Sequence, residues 1–303
     1  MIKGSIVALV TPFNDDLSVN YTALKALIEF HIAHETDGLL VLGTTGEAPT
    51  IDFEDQLQIV DFTVKQAAGR IHVMAGACSN DTAKSLKAAQ AFEALGADSL
   101  LAIAPYYNKT NEAGMIAHFS AIADGVSIPV ILYNVPGRTG CAISENVLRV
   151  LAAHPRIAGV KEASGDLAYM VSISRLLNDE FLLFTGNDDA IYAATALGGS
   201  GVISVWANIM PRETRDVYWL YANGRQQESL SLQQRCLDLV HMLFCETNPI
   251  PIKYAMDCLG FETGPLKLPL APLSLQYRPR LETLLAEAGL KSPNSNKDFH
   301  DLL

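Results

Sequence analysis

Ile157-Ala158-Gly159-Val160-Lys161-Glu162-Ala163 places a lysine, Lys161, at the end of a short apolar run. Its core, Ala158–Glu162, is one of a set that includes Ser5–Val10, Gly38–Leu42, Ile71–Ala77, Ser99–Ala104, Pro129–Tyr133, Phe181–Thr185 and Val202–Val205. These runs are rich in Val, Ile and Leu and do not alternate cleanly with polar residues, as expected of strands buried on both faces. Helical spacing fills the gaps. Tyr21, Leu24, Ile28 and Ile32 recur on one face behind Asn20, and Phe53, Leu57, Val60 and Val64 behind Asp52, a residue suited to cap that helix. Successive runs start roughly 20–33 residues apart, the spacing of βα units. Eight such units predict a closed (β/α)8 TIM barrel. A doubly wound open sheet is the alternative, but its glycine-rich fingerprint is missing after the first run, where Thr11-Pro12-Phe13 stands.

Beyond about Pro211 the strand pattern stops, and helices are expected over Thr214–Asn223, Gln226–Phe244, Pro251–Leu259 and Leu281–Ala288. That is too much chain for the last barrel helix alone. The expected division is a catalytic barrel over residues 1–224 and a small C-terminal helical extension over 225–303, with a polar turn at Lys291–Lys297.

The 303 residues carry 22 Lys and Arg against 33 Asp and Glu, a net charge of −11, which disfavours general binding to nucleic acid or anionic membrane. With 49% hydrophobic and 18% charged residues the composition excludes a disordered chain. No apolar stretch approaches the ~18 residues of a membrane span. Met1-Ile2-Lys3-Gly4 leads directly into a strand-like segment, without the layout of a secretory signal. Cys78, Cys141, Cys236, Cys245 and Cys258 are odd in number, widely spaced and free of CxxC, so reduced thiols in the cytoplasm are expected. His72, His118, His154 and His241 lack metal-ligand spacing, and no metal site is expected.

Barrel active sites lie at the C-terminal ends of the strands, which shortens the list of polar residues to inspect. After the second run, Gly43-Thr44-Thr45-Gly46-Glu47 offers hydroxyls and backbone N–H groups that can hold a carboxylate; taken alone it also reads as a tight turn. Pro105-Tyr106-Tyr107-Asn108 follows the fourth run, and Tyr133-Asn134-Val135-Pro136-Gly137-Arg138-Thr139 the fifth. A tyrosine there can relay protons and an arginine can clamp a carboxylate, or they are a rim aromatic and a surface charge. Lys161 is the most informative. Desolvated in a barrel mouth, a lysine loses its proton more readily, and the free amine can form a Schiff base with a ketone. The alternative is a structural ion pair, for which Glu162 is a poor partner because adjacent strand residues face opposite ways. Lys253 lies outside the runs and reads as structural; Gly198-Gly199-Ser200-Gly201 reads as a turn on the opposite, stability face.

Jointly, GTTGE at 43–47, PYYN at 105–108, YNVPGRT at 133–139 and VKEASG at 160–165 resemble the dihydrodipicolinate synthase family, in the pyruvate-dependent class I aldolase superfamily with N-acetylneuraminate lyase. The resemblance spans roughly residues 1–290, including Gly198–Val205 and Asn248-Pro249-Ile250-Pro251. It implies condensation of pyruvate with L-aspartate-4-semialdehyde in diaminopimelate and lysine biosynthesis, with no cofactor beyond a lysine imine. It assigns the imine to Lys161, proton shuttling to Tyr133, and the rest of the relay to Thr44 and to Tyr107 from a neighbouring subunit. Thr45, helped by backbone at Ile203, would bind the pyruvate carboxylate; Arg138 would take that of the semialdehyde; Gly186 and Asn248 would line the site. A homotetramer of two tight dimers is implied as well. Arg138 disfavours a sialic-acid lyase, but a retro-aldolase for another 2-oxo acid and a non-catalytic barrel remain alternatives. Many relatives are inhibited by lysine near Tyr106. Asn80 and Tyr106 match that pattern, whereas Gln56 and Lys84 stand where inhibited members carry histidine and glutamate, so weak or no lysine inhibition is expected.

Overall fold

The strands alternate strictly with helices, and their order around the sheet follows their order in the chain. The computed structural model describes residues 2–290; the turn expected at Lys291–Lys297 lies outside them. The strands are β1 Gly4–Ala8, β2 Gly38–Val41, β3 His72–Gly76, β4 Ser99–Ile103, β5 Val130–Asn134, β6 Ile157–Glu162, β7 Leu182–Thr185 and β8 Gly201–Ser204. All pair in parallel, and β8 returns to β1 to close the barrel, which excludes the open sheet. The helices are α1 Tyr21–Ala33, α2 Phe53–Ala67, α3 Thr82–Ala94, α4 Glu112–Asp124, α5 Pro136–Thr139, α6 Glu145–Leu151, α7 Leu167–Ser174, α8 Ile191–Ala196, α9 Pro211–Ala222, α10 Gln226–Met242, α11 Ile250–Cys258 and α12 Arg278–Glu287. The C-terminal helices expected from the sequence are therefore present, each starting within a few residues of its expected position.

Two clusters explain why the strands read as continuous apolar runs. Ile6, Ala8, Leu40, Met74, Leu101, Ile103, Ile131, Tyr133, Leu182, Phe184 and Ile203 fill the barrel interior. Val7, Leu39, Val41, Val73, Ala75, Leu100, Ala102, Leu132, Val160, Leu183 and Val202 face the helices. Neighbours in sequence thus enter different cores, and a strand with no solvent face shows no polar alternation.

Side-chain caps set several helix starts. Asn20 accepts from the Ala23 amide, Asp81 from Lys84, Asn111 from Gly114 and Asp166 from Tyr169, each worth about 1 kcal/mol. Asp52 differs from the expectation: it occupies the cap position of α2 in an extended conformation, but its side chain makes no capping bond. Glu54 and Asp55 in the first turn complement the helix dipole there. The inner face of α2 is also rotated from the expected one. Ile59, Val60, Thr63 and Ala67 are buried, whereas Phe53, Leu57 and Val64 are half-buried at its flank, where Lys87 of the next helix lies over the Phe53 ring.

Candidate active site

β6 carries Lys161 into the barrel mouth. In the register between β5 and β6, Tyr133 pairs with Lys161 and Asn134 with Glu162. The odd members face inward and the even members outward. Asn134 donates an amide hydrogen to the Glu162 carboxylate at 2.6 Å, and the Ser164 amide donates to the same carboxylate at 2.5 Å. Glu162 is therefore satisfied on the helix side and is not the partner of Lys161, as strand geometry requires.

Lys161 is buried, with 6% of its surface exposed, and no carboxylate forms a salt bridge with it among the described residues. Its Nζ lies 4.5 Å from the centre of the Tyr133 ring. Burial lowers its pKa to about 8; the Arg138 charge adds to that shift, while Asp188 and Cys78 oppose it. Roughly a tenth of such a lysine carries a free amine at pH 7, several hundred times the share of a solvated one. Tyr133 moves the other way: burial raises its phenol to about 12, against the Arg138 charge and the Thr44 hydroxyl that bonds to it. A neutral phenol hydrogen-bonded to a hydroxyl is suited to pass protons at the lysine.

Gly186 follows β7, and its missing side chain makes room for the lysine. A Cβ there would sit 2.8 Å from Lys161 Cε and 2.7 Å from Ala163 Cβ, closer than such contacts allow. Thr45 and Asn248 meet on another wall, where the Asn248 amide donates to the Thr45 hydroxyl at 2.9 Å. Arg138 is exposed on α5, and its Nη2 donates to the Asn248 carbonyl at 2.9 Å. Its guanidinium therefore stands over the site with further donors available. Ile203 is buried in β8 and belongs to the interior wall.

Lys161, Tyr133, Thr44, Thr45, Arg138, Gly186, Ile203 and Asn248 thus gather at one end of the barrel. Tyr107 does not join them within one chain: it is 90% exposed, at a positive φ of 68°. Lys253, the competing lysine, is buried beside Glu47 at 3.0 Å and donates to the carbonyls of Thr11 and Pro265 at 3.3 and 2.8 Å. It is a structural lysine, as its place outside the strands indicated. Its pairing with Glu47 was not legible, because the two residues lie far apart in sequence.

Sequence reasoning passed over Asp188 and read Cys78 only as one of five reduced thiols, without placing it at the barrel interior. Asp188 is fully buried just beyond Gly186. Cys78, after β3, packs against the interior cluster and donates its thiol to the Leu101 carbonyl at 3.3 Å. Burial raises that thiol to about 12, which keeps it protonated. The strand-end rule could have found both. All five cysteines are free thiols, and among the described residues no group of three or more His, Cys, Asp or Glu could hold a metal ion. No helix among them is long and apolar enough to cross a membrane.

The comparisons agree with this geometry. The Dihydrodipicolinate synthetase family profile matches residues 1–288. The 4-hydroxy-tetrahydrodipicolinate synthase of Clostridium perfringens (strain 13 / Type A) is 45% identical over 290 residues, covering 96% of this chain and 99% of that one. The crystal structure of dihydrodipicolinate synthase from Aquifex aeolicus superposes with a TM-score of 0.93 at 39% identity, covering 96% of this chain and 99% of that one. The chloride-inhibited dihydrodipicolinate synthase from Acinetobacter baumannii, solved in complex with pyruvate, has a TM-score of 0.93 at 39% identity, covering 96% and 100%. A buried lysine with a lowered pKa stands at the mouth of a closed parallel barrel, and the family profile and the relatives span nearly the full length: the chain belongs to the dihydrodipicolinate synthetase family.

Proposed function

We propose that this protein is a lyase that condenses pyruvate with L-aspartate-4-semialdehyde to give 4-hydroxy-tetrahydrodipicolinate, the first committed step towards diaminopimelate and lysine. The observation that carries this reading is the buried Lys161 amine, with its pKa lowered to about 8, above the Tyr133 ring. The Lys161 amine attacks C2 of pyruvate, and water leaves. The resulting iminium draws electrons from the methyl group, so a proton is lost and an enamine forms. The enamine attacks the aldehyde carbon, and the amino group of that substrate then closes the ring and releases Lys161. Tyr133, Thr44 and Tyr107 of a neighbouring subunit relay the protons. Thr45 and the Ile203 backbone hold the pyruvate carboxylate, Arg138 the second carboxylate, and Gly186 and Asn248 shape the walls.

The chemistry needs no cofactor beyond the lysine imine. The five free thiols fit a cytoplasmic setting, and the net charge of −11 fits small-molecule substrates rather than nucleic acid. A homotetramer of tight dimers belongs to the same reading, because exposed Tyr107 completes the relay only across an interface. So does the division into a catalytic barrel, 1–224, and a helical extension, 225–303. Weak or absent lysine inhibition is supported by Gln56, whose amide is occupied by the Ala48 and Ile51 carbonyls at 3.1 and 2.9 Å, and by Lys84, which is exposed. A lysine titration giving strong inhibition below millimolar levels would reverse that part.

The test is pyruvate consumption by purified protein with and without the semialdehyde, the product being offered to dihydrodipicolinate reductase. Semialdehyde-dependent consumption and a reducible product are expected. Consumption with another aldehyde in its place would favour a different aldolase, and none at all a silent barrel.

A further inference from the structure

Asp188 is a fully buried carboxylate with an unequal pair of oxygens. Its Oδ2 accepts from the Val205 and Trp206 amides at 3.0 and 2.9 Å and the Ser204 hydroxyl lies beside the carboxylate, while Oδ1 makes no hydrogen bond of normal geometry. The residue lies two positions beyond Gly186, where an added Cβ would come within 2.8 Å of Lys161 Cε. No cation forms a salt bridge with it among the described residues. The backbone amides alone would be served by a neutral asparagine. An ionised carboxylate left partly unpaired in the interior is costly, and such a cost calls for a partner.

We propose that Asp188 is a positioning residue: its carboxylate is the built-in counter-charge for the cationic imine formed on Lys161. This rests on the reading of Lys161 as the imine-forming lysine. In imine formation Nζ bonds to C2 of pyruvate, and the carbonyl oxygen leaves as water with one proton from the amine and one supplied from outside. The nitrogen keeps one proton and a positive charge; loss of that proton would leave a neutral imine, a weaker electron sink, so a nearby negative charge that holds the proton in place favours the reactive form. Asp188 is the carboxylate whose field most raises the Lys161 pKa, and burial raises its own pKa to about 6. The other groups near Asp188 and Lys161 supply no second negative charge. Ser204 offers a hydroxyl, Gln233 of α10 donates to the Asp188 carbonyl at 2.9 Å, and neighbouring Asp189 pairs with His241 at 3.4 Å. Cys78 and Tyr133 in the barrel interior stay protonated near neutral pH, and Arg138 adds positive charge.

Asp188→Asn separates the two roles, since the amide oxygen still accepts from Val205 and Trp206 but carries no charge. In the full-length protein, borohydride-trapped pyruvate is quantified by intact mass across pyruvate concentrations, with thermal melting alongside. The wild type must trap pyruvate, which tests the parent reading separately. In Asp188→Asn we expect a melting temperature close to wild type, a half-saturating pyruvate concentration at least about tenfold higher, and an unchanged KM for the aldehyde substrate. A wild-type pyruvate half-saturation in a folded Asp188→Asn protein would overturn the proposal. Should that variant not fold, infrared difference spectra of the wild type near pH 6 decide. Pyruvate should remove a buried carboxylic-acid band, and should not do so in Lys161→Ala; a band indifferent to pyruvate would overturn the proposal equally.

Discussion

Lys161 Nζ lies 4.5 Å from the centre of the Tyr133 ring, and the two residues are direct partners in the β5–β6 register. The strand pairing therefore fixes the amine against the aromatic face before any substrate arrives. Tyr133→Phe keeps the ring and removes the hydroxyl that bonds to Thr44. Turnover should fall by about 10²–10⁴, the usual worth of a positioned proton-transfer group. Trapping of pyruvate by borohydride should slow but persist. Steady-state rates and trapping yields measured together check this, and near-normal turnover would exclude Tyr133 from the relay.

The pH dependence follows from the lysine. With its pKa lowered to about 8 by burial, the amine gains a proton as pH falls through that value. Initial rates of pyruvate trapping should therefore drop about tenfold per unit below about pH 8 and level off above it. The linkage to stability has the matching sign. Between about 8 and the ordinary lysine value the native state binds fewer protons than the unfolded one, so the destabilising effect of burying this group shrinks as pH rises through that window. A trapping rate that kept climbing to the pKa of a solvated lysine would show that Lys161 is not desolvated.

Gly186 is a steric requirement. Gly186→Ala places a methyl group 2.8 Å from Lys161 Cε and 2.7 Å from Ala163 Cβ, so the lysine must move. A shift of about 1 Å at a reacting group can cost about a hundredfold in rate. Pyruvate trapping should fall by at least about tenfold in Gly186→Ala. Gly137→Ala, where nothing lies within 4 Å of the added carbon, should trap normally.

The four site motifs were legible because each follows an apolar run, and a barrel presents strand ends on one face. The outward placement of Glu162 followed from the period of two alone. What the sequence concealed was contact between distant segments. Asn248 reaches Thr45, Lys253 reaches Glu47, and Asp188 caps the turn at Val205 and Trp206, yet none of these pairs is a neighbour in the chain. The inner face of α2 was misjudged for a related reason: the flanks of a barrel helix pack on adjacent helices, so Phe53, Leu57 and Val64 are apolar without pointing inward.

The Glu47–Lys253 pair ties α11 to the loop that carries Thr44 and Thr45. The two side chains meet at 3.0 Å with 1% and 2% of their surfaces exposed, and Glu47 also accepts from the Lys267 amide at 2.8 Å. Removing one partner strands the other charge in the interior, so Lys253→Met should cost about 3–5 kcal/mol. The double variant Glu47→Gln with Lys253→Met should recover part of that loss, as coupled sites do. Chemical denaturation of the single and double variants checks the coupling; strictly additive losses would show that the pair is not one unit.

The central claim is that Lys161 forms the imine. The most direct measurement is borohydride reduction of the full-length protein with pyruvate, followed by mapping of the modified peptide in the wild type and in Lys161→Ala and Lys253→Met. The account predicts one pyruvyl adduct on Lys161, none in Lys161→Ala, and an adduct retained in the folded fraction of Lys253→Met. Full trapping in Lys161→Ala, or an adduct mapped to Lys253, would contradict it.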